Sequence, residues 1–275
     1  MIKTVFTSLA FAYLAAACSA PEAASSPDKL RVVSADLCAD QYALALLDRD
    51  DIAALSPDAR KSFSYYRNEA DGLPIVRPRT ESILALRPDV VLRSYGGEPN
   101  LTGALANAGI RTVQIPYARD LGTARAALIE TANALGAVDR GAAIAADVDV
   151  RVKALGSRRD SARTVLYITS KGAIAGRASM IDELISIAGH DNFEMRPGWR
   201  FAPLEALAYR APDIVATSFF DGPDANTDRW SASRHPVAQR MFDKAERIDL
   251  PGAWTACNAW FALDAAEALA EAGAS

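Results

Sequence analysis

Residues 81–91 read Glu81-Ser82-Ile83-Leu84-Ala85-Leu86-Arg87-Pro88-Asp89-Val90-Val91, and residues 205–215 read Glu205-Ala206-Leu207-Ala208-Tyr209-Arg210-Ala211-Pro212-Asp213-Ile214-Val215. Glutamate, proline, aspartate and the final valine recur at the same relative places, and apolar residues match at several others. Each unit has one physical reading. The glutamate opens a short helix, where its charge suits the positive end of the helix dipole. Proline lacks an N–H and disfavours helix at the residue before it, so the helix stops there. A β-branched strand follows. A helix–strand unit that occurs twice along one chain points to two lobes of similar construction.

The flanking sequence continues the alternation. Strand-like runs at Arg31-Val32-Val33, Ile52 to Leu55, Asp89 to Leu92 and Arg111 to Ile115 are separated by helical patterns at Asp40 to Leu47 and Leu101 to Ala108. An Ala-rich helical region from about Leu121 to about Leu155, divided by Gly136 and Gly141, comes next, and a new strand opens at Thr164. Arg31-Val32-Val33-Ser34 has a second-lobe counterpart in Leu166-Tyr167-Ile168-Thr169, which is followed by a Gly-containing loop and a helix over 181–188. Short strands alternating with helices predict an α/β protein with mainly parallel sheets. The predicted organisation is an N-terminal lobe at 30–120, a helical connection at 121–158 and a C-terminal lobe at 159–275.

Composition narrows the function. Half of the 275 residues are hydrophobic, enough for two buried cores, and the net charge of −4 does not suit a basic nucleic-acid footprint. Two histidines leave little room for a His-rich metal site or a His-dependent hydrolase. His235 precedes Pro236 and reads as a helix start, while His190 lies in an Ala-Gly-His-Asp-Asn turn, so no metal site is expected. The sequence contains no G-x-S-x-G elbow, Walker A loop or dinucleotide fingerprint. Asp36 and Asp40 suit a helix N-cap and first turn better than a catalytic carboxylate pair.

The N-terminus reads as an address. Lys3 is followed by a small and apolar run from Thr4 to Ala17, which is the pattern of a secretory signal peptide over 1–17. Leu14-Ala15-Ala16-Ala17-Cys18 resembles a bacterial lipobox, with Cys18 as the lipidated residue; Ala15 departs from that pattern, and ordinary signal cleavage also fits. Residues 18–29, rich in Ala, Ser and Pro, predict a flexible tether. In an oxidising compartment Cys38 and Cys257 form an even pair for which a disulfide is permitted. Two free thiols, or contact with ligand or metal, remain open from sequence.

These motifs resemble the periplasmic binding proteins for cobalamin and iron–siderophores that serve ABC importers. The resemblance spans about residues 30–272. It rests on Arg31 to Ser34, on Glu81 to Leu92 and on Gly176 to Asn192 with its Asp182-Glu183-Leu184 and Ala188-Gly189-His190-Asp191-Asn192 segments. Glu205 to Val215, Arg234-His235-Pro236 and Trp254 to Trp260 complete it. It implies two Rossmann-like lobes joined by a single long helix, with the ligand in the cleft between them. It also implies a periplasmic, non-enzymatic monomer with no cofactor. The partners would be an ABC permease dimer with its cytoplasmic ATPase, a metal-chelate ligand and, through Cys18, the membrane. Glu81 and Glu205 match the positions that dock on the permease. An exported sensor or a metal-cofactor enzyme on the same scaffold is the alternative.

Ligands of open α/β sheets sit beyond the carboxyl ends of the strands. The loops there carry Tyr65, Tyr66, Tyr95, Trp199 and Phe219 as candidate flat contacts, and Arg67, Arg93 and Arg200 as candidate polar ones. Tyr117, Lys171, Arg177, Phe220, Trp230 and Trp254 lie in the same set of loops. Aromatic faces suit a macrocycle or catechol, and guanidinium suits carboxylate or phosphate. The expected cargo is a cobalamin-type corrinoid or a ferric siderophore; sequence does not separate these from haem.

Overall fold

A computed structural model describes residues 29–156, 162–219 and 232–272. The leader, the tether and Cys18, and likewise Phe220 and Trp230, lie outside the described residues.

The first lobe is a four-stranded parallel sheet. Its strands are β1 (Val32–Ser34), β2 (Ile52–Ala54), β3 (Val90–Arg93) and β4 (Arg111–Gln114), in the order β2-β1-β3-β4. Val32, Val33, Val90, Val91 and Leu92 are fully buried, as expected when helices cover both faces of a parallel sheet. One face packs on helix α1 (Leu37–Leu46). The other packs on α2 (Thr80–Ala85) and α3 (Leu101–Asn107), through Val33, Val91, Ile83, Leu101 and Leu105.

The helical connection is a pair. Helix α4 (Leu121–Leu135) is capped by Asp120, whose side chain accepts from the Thr123 N–H, and it ends at Gly136 with φ of 75°. Helix α5 (Val138–Leu155) then runs 18 residues, roughly 27 Å at 1.5 Å per residue. It is the longer of the two helices of the connection. Only Gly136 breaks the region. Gly141 lies inside α5, where an added Cβ would sit 2.3 Å from the Ala132 Cβ, so glycine there permits the close crossing of α4 and α5.

The second lobe has six strands: β5 (Thr164–Thr169), β6 (Ala173–Ala175), β7 (Asp191–Asn192), β8 (Trp199–Phe201), β9 (Ile214–Ser218) and β10 (Glu246–Leu250). The order is β10-β9-β5-β6-β8, with β7 beside the start of β5. The β10-β9-β5 part is parallel, but β6 and β8 run antiparallel to their neighbours. The reversal occurs at Gly172, whose φ of 81° closes a tight turn with the Gly172 N–H donating to Thr169 O at 2.8 Å. Helices α6 (Met180–Ile187), α7 (Leu204–Tyr209), α8 (Pro236–Lys244), α9 (Gly252–Thr255) and α10 (Leu263–Ala272) complete the lobe. His235 is the N-cap of α8.

The repeated Pro-Asp now has a structural cause. Asp89 accepts the Arg31 N–H through its carboxylate at 2.8 Å and donates its own N–H to Arg31 O at 2.9 Å. Asp213 does the same with Thr164, at 2.7 and 3.0 Å. In each lobe the aspartate at the mouth of one strand fixes the register of the strand beside it.

Candidate functional site: the cleft between the lobes

The loops at the carboxyl ends of the first sheet converge on the segment that follows β10. Cys38, in the first turn of α1, is disulfide-bonded to Cys257, with Cα atoms 5.7 Å apart. Tyr42 meets Trp260 edge-on at 4.9 Å, and Tyr65 stacks on Phe261 at 4.4 Å. The Tyr65 hydroxyl donates to Asp264 at 2.7 Å. Arg151 of α5 binds both Asp264 and Glu267, at 2.6 and 2.7 Å. Asn258 donates to Ala118 O at 2.8 Å and to the Tyr117 hydroxyl at 3.3 Å. The Glu183 carboxylate of α6 accepts the N–H of Leu121, the first residue of α4. Several of these groups are shifted from their ordinary values. Burial and the Asp264 contact push the Tyr65 phenol up, and burial raises Glu183. Residues 257–264 therefore tie the two lobes together, at what would be the floor of the candidate cleft.

Two buried carboxylates shape the first-lobe wall. Asp36 caps α1 by accepting the Ala39 N–H at 2.9 Å through Oδ1. Its Oδ2 accepts three more N–H groups, from Ser94, Tyr95 and Gly96, at 2.7, 3.1 and 2.8 Å. One turn later Asp40 holds Ser56, accepting the backbone N–H at 2.9 Å and the hydroxyl at 2.6 Å. Burial pushes the Asp40 carboxyl up to about 7, with the Ser56 bonds opposing that shift. The wall encloses a depression of 540 Å³ lined by Asp36, Ser56, Arg77, Arg79, Tyr95 and Gly96, among others. Partial burial and the carboxylates of Asp36, Asp58 and Asp40 push the Tyr95 phenol up to about 12. It therefore stays protonated at neutral pH, as a hydrogen-bond donor with a flat face.

The eight candidate contacts fall into distinct places. Tyr65 and Tyr66 are half-buried in the floor, each against Phe261. Tyr95 is 63% exposed on the first-lobe wall. Arg67 is exposed and reaches Ser62 O, at 3.5 Å. Arg93 donates to Thr102 of α3 at 2.6 Å. Trp199 is half exposed and meets Tyr167 edge-on at 5.8 Å. Arg200 lies on the opposite face of β8, donating to Pro197 O at 3.0 Å and 3.9 Å from Glu194. Phe219 is left-handed, with φ of 62°, and its ring covers Gly252, where a Cβ would collide at 2.6 Å. Glu81 and Glu205 are exposed in the first turns of α2 and α7, one on each lobe.

Sequence reasoning passed over several residues that the structure brings to the cleft edge. Phe201, 75% exposed, lies two residues after Trp199 and so on the same face of β8. It pairs with Ala173, level with the carboxyl end of β5. The Trp199-x-Phe201 spacing hints at a shared face but is too short to mark a strand. Arg77 and Arg79 enter through a loop with no periodicity to announce them. Among the described residues, no group of three or more His, Cys, Asp or Glu side chains is placed to hold a metal ion. No described helix is long and apolar enough to cross a membrane.

The family model for a periplasmic binding protein matches residues 32–235, which takes in the first sheet and every strand of the second except β10. The chain belongs to that family. Its members are substrate-binding transport proteins of the periplasm. No curated protein is a significant match to the sequence. Solved structures are similar in fold. The periplasmic heme-binding protein HutB of Vibrio cholerae superposes with a TM-score of 0.69 at 19% identity, covering 88% of this chain and 98% of its own. The heme-binding protein RhuT of Roseiflexus sp. RS-1, in apo form, gives 0.68 at 20% identity, covering 89% and 99%. The vitamin B12-binding protein BtuF of Vibrio cholerae gives 0.63 at 20% identity, covering 88% and 95%. At such identities the likeness concerns the fold.

Proposed function

We propose that this periplasmic binding protein is the solute-binding component of an ABC importer, capturing a large metal chelate between its lobes. The cargo is a cobalamin-type corrinoid or a ferric siderophore, with haem as the third member of the set. The carrying observation is the position of the exposed aromatics. Tyr95 and Tyr117 follow the carboxyl ends of β3 and β4, and Trp199 and Phe201 lie on β8, whose carboxyl end is level with that of β5. Isolated exposed apolar residues are ordinary, but four exposed aromatics on the carboxyl-end loops of one sheet and the edge strand of the other suit a broad, flat ligand. Phe219, Trp254, Tyr65 and Tyr66 would border the same space from the second lobe and the floor. Arg67, Arg93 and Arg200 are engaged near their own loops, so Arg77 and Arg79 replace them as the polar contacts of choice. Glu81 and Glu205, one per lobe, present the loaded protein to a permease dimer, where charges at a rim aid docking rate and orientation. The protein is exported, with Cys18 as its lipid anchor, and catalyses no reaction itself.

Tryptophan fluorescence of the purified protein tests this reading, with cobalamin, a ferric hydroxamate, a ferric catecholate and haemin as titrants. Saturable quenching by one of them, weakened in a Tyr95→Ala/Trp199→Ala variant, supports capture in the cleft. Quenching that the double variant leaves unchanged would move the ligand elsewhere.

A further inference from the structure

Asp36 is 4% exposed, and among the described residues no cation is paired with it. Its charge is met instead by four backbone N–H groups. One belongs to α1, where any good N-cap would serve. The other three belong to consecutive residues of the β3–α3 loop, gathered on one oxygen. Nothing about capping a helix calls for them. The loop is also pressed close: a Cβ on Gly96 would lie 2.5 Å from both Ala35 O and the Asp36 Cβ. The middle residue of the clamped triplet is Tyr95, the exposed aromatic of the first-lobe wall.

We propose that Asp36 is a positioning residue for ligand capture, its single carboxylate fixing the loop that presents Tyr95 and thereby setting the first-lobe wall of the cleft. The proposal rests on reading the cleft as the ligand site. A charged acceptor in a buried setting holds N–H groups more firmly than a neutral one. Three consecutive N–H groups aimed at one point leave the loop a single conformation. Rigid presentation of an aromatic contact lowers the ordering cost of binding. Asp36 itself need not touch the ligand.

The test separates the cap from the clamp. Serine is as good an N-cap as aspartate, but its one short hydroxyl cannot reach three loop amides while capping Ala39. Asp36→Ser should therefore keep α1 intact and release residues 94–96. Amide exchange should show lost protection at Ser94, Tyr95 and Gly96, and unchanged protection within α1. The dissociation constant for whichever of cobalamin, ferric hydroxamate, ferric catecholate or haemin quenches the wild type should rise on the order of tenfold or more. Asp120→Ser, the same cap change on α4, should leave affinity unchanged. In a Tyr95→Ala background Asp36→Ser should cost less than about twofold, because both act through one loop. A purely structural role would give equal losses in both backgrounds, and that result overturns the proposal, as would wild-type affinity in Asp36→Ser. If the wild type binds none of the four probes, the ligand reading fails and the proposal with it. Exchange at 94–96 would then report a clamp that serves folding alone.

Discussion

Replacing Cys38 and Cys257 together by serine removes a crosslink between residues 219 positions apart. The size of the effect follows from chain statistics. Closing a loop of that length lowers the entropy of the unfolded chain by an amount equivalent to about 5 kcal/mol at 25 °C. The folded state loses little else, since the Tyr65–Phe261 stack, the Tyr42–Trp260 contact and the Asp264–Arg151 pair still join the same surfaces. For a chain of this size such a loss lowers the melting temperature by roughly 10–20 °C. Guanidinium unfolding of the oxidised wild type and the double serine variant, followed by tryptophan fluorescence, measures it. The midpoint should fall, and the slope should rise, because the uncrosslinked unfolded chain exposes more surface. The aromatic fine structure of the native near-ultraviolet circular dichroism spectrum should persist, the broad disulfide contribution alone being lost. A variant that unfolds within about 1 kcal/mol of wild type would refute the entropic reasoning. It would mean that the unfolded chain already holds its two ends together.

Other expectations follow from single groups. Asp40 has a folded pKa of about 7 against 3.8 for the free side chain, so the folded state binds its proton more tightly. Its contribution to stability is complete below about pH 4 and is lost as pH rises through 7. Melting temperatures from pH 4 to 8 should slope downward more steeply in wild type than in Asp40→Asn, and identical slopes would exclude the assignment. Asp213→Ala removes the acceptor for both the Thr164 N–H and its hydroxyl and should cost on the order of 1–3 kcal/mol in denaturant unfolding, with Asp89→Ala similar in the first lobe. Glu81→Ala with Glu205→Ala should abolish ligand-dependent transport in cells while leaving the dissociation constant of the purified protein as it was. A loss of affinity in that pair would place the glutamates in the ligand site instead.

The fold was legible where its signals are local. A Pro-Asp at the mouth of a strand carries its reason within a few residues: proline stops the helix and aspartate pins the neighbouring strand. That reason holds in both lobes, which is why the echo is visible in the sequence alone. The antiparallel β6 and β8 were not legible, because three-residue strands carry no periodicity and the reversal depends on one glycine. Gly141 shows the converse: a glycine in a helical run reads as a break, yet here it is where two helices touch.

The cleft was legible as a set of loops and illegible as a set of side chains. Arg93 and Trp199 both lie at strand ends, but the two-residue period of a strand decides only which residues share a face, not which face meets the ligand. Arg93 and Arg200 turn to partners in their own lobes, whereas Phe201 shares the face of Trp199. Tyr65 illustrates a second limit. Its partners, Phe261 and Asp264, lie nearly two hundred residues along the chain, and nothing in the local sequence names them.

That long-range floor bears on how such a protein selects its cargo. The joint between the lobes is held by a helix of 18 residues, a disulfide, stacked rings and a carboxylate–guanidinium network. A joint made this way leaves little room for wide opening, so the ligand meets walls that are nearly in place beforehand. Binding energy is then not drawn down by ordering the cleft, and discrimination falls to the shape and chemistry of the walls. On the proposed reading those walls are loops: 94–96 bound to Asp36, Ser56 held by Asp40, and Phe219 laid over Gly252. Change of specificity would therefore proceed by altering exposed residues such as Tyr95, Arg77, Arg79 and Phe201, while the carboxylates and glycines beneath them stay fixed, because each of those has no room for a second arrangement.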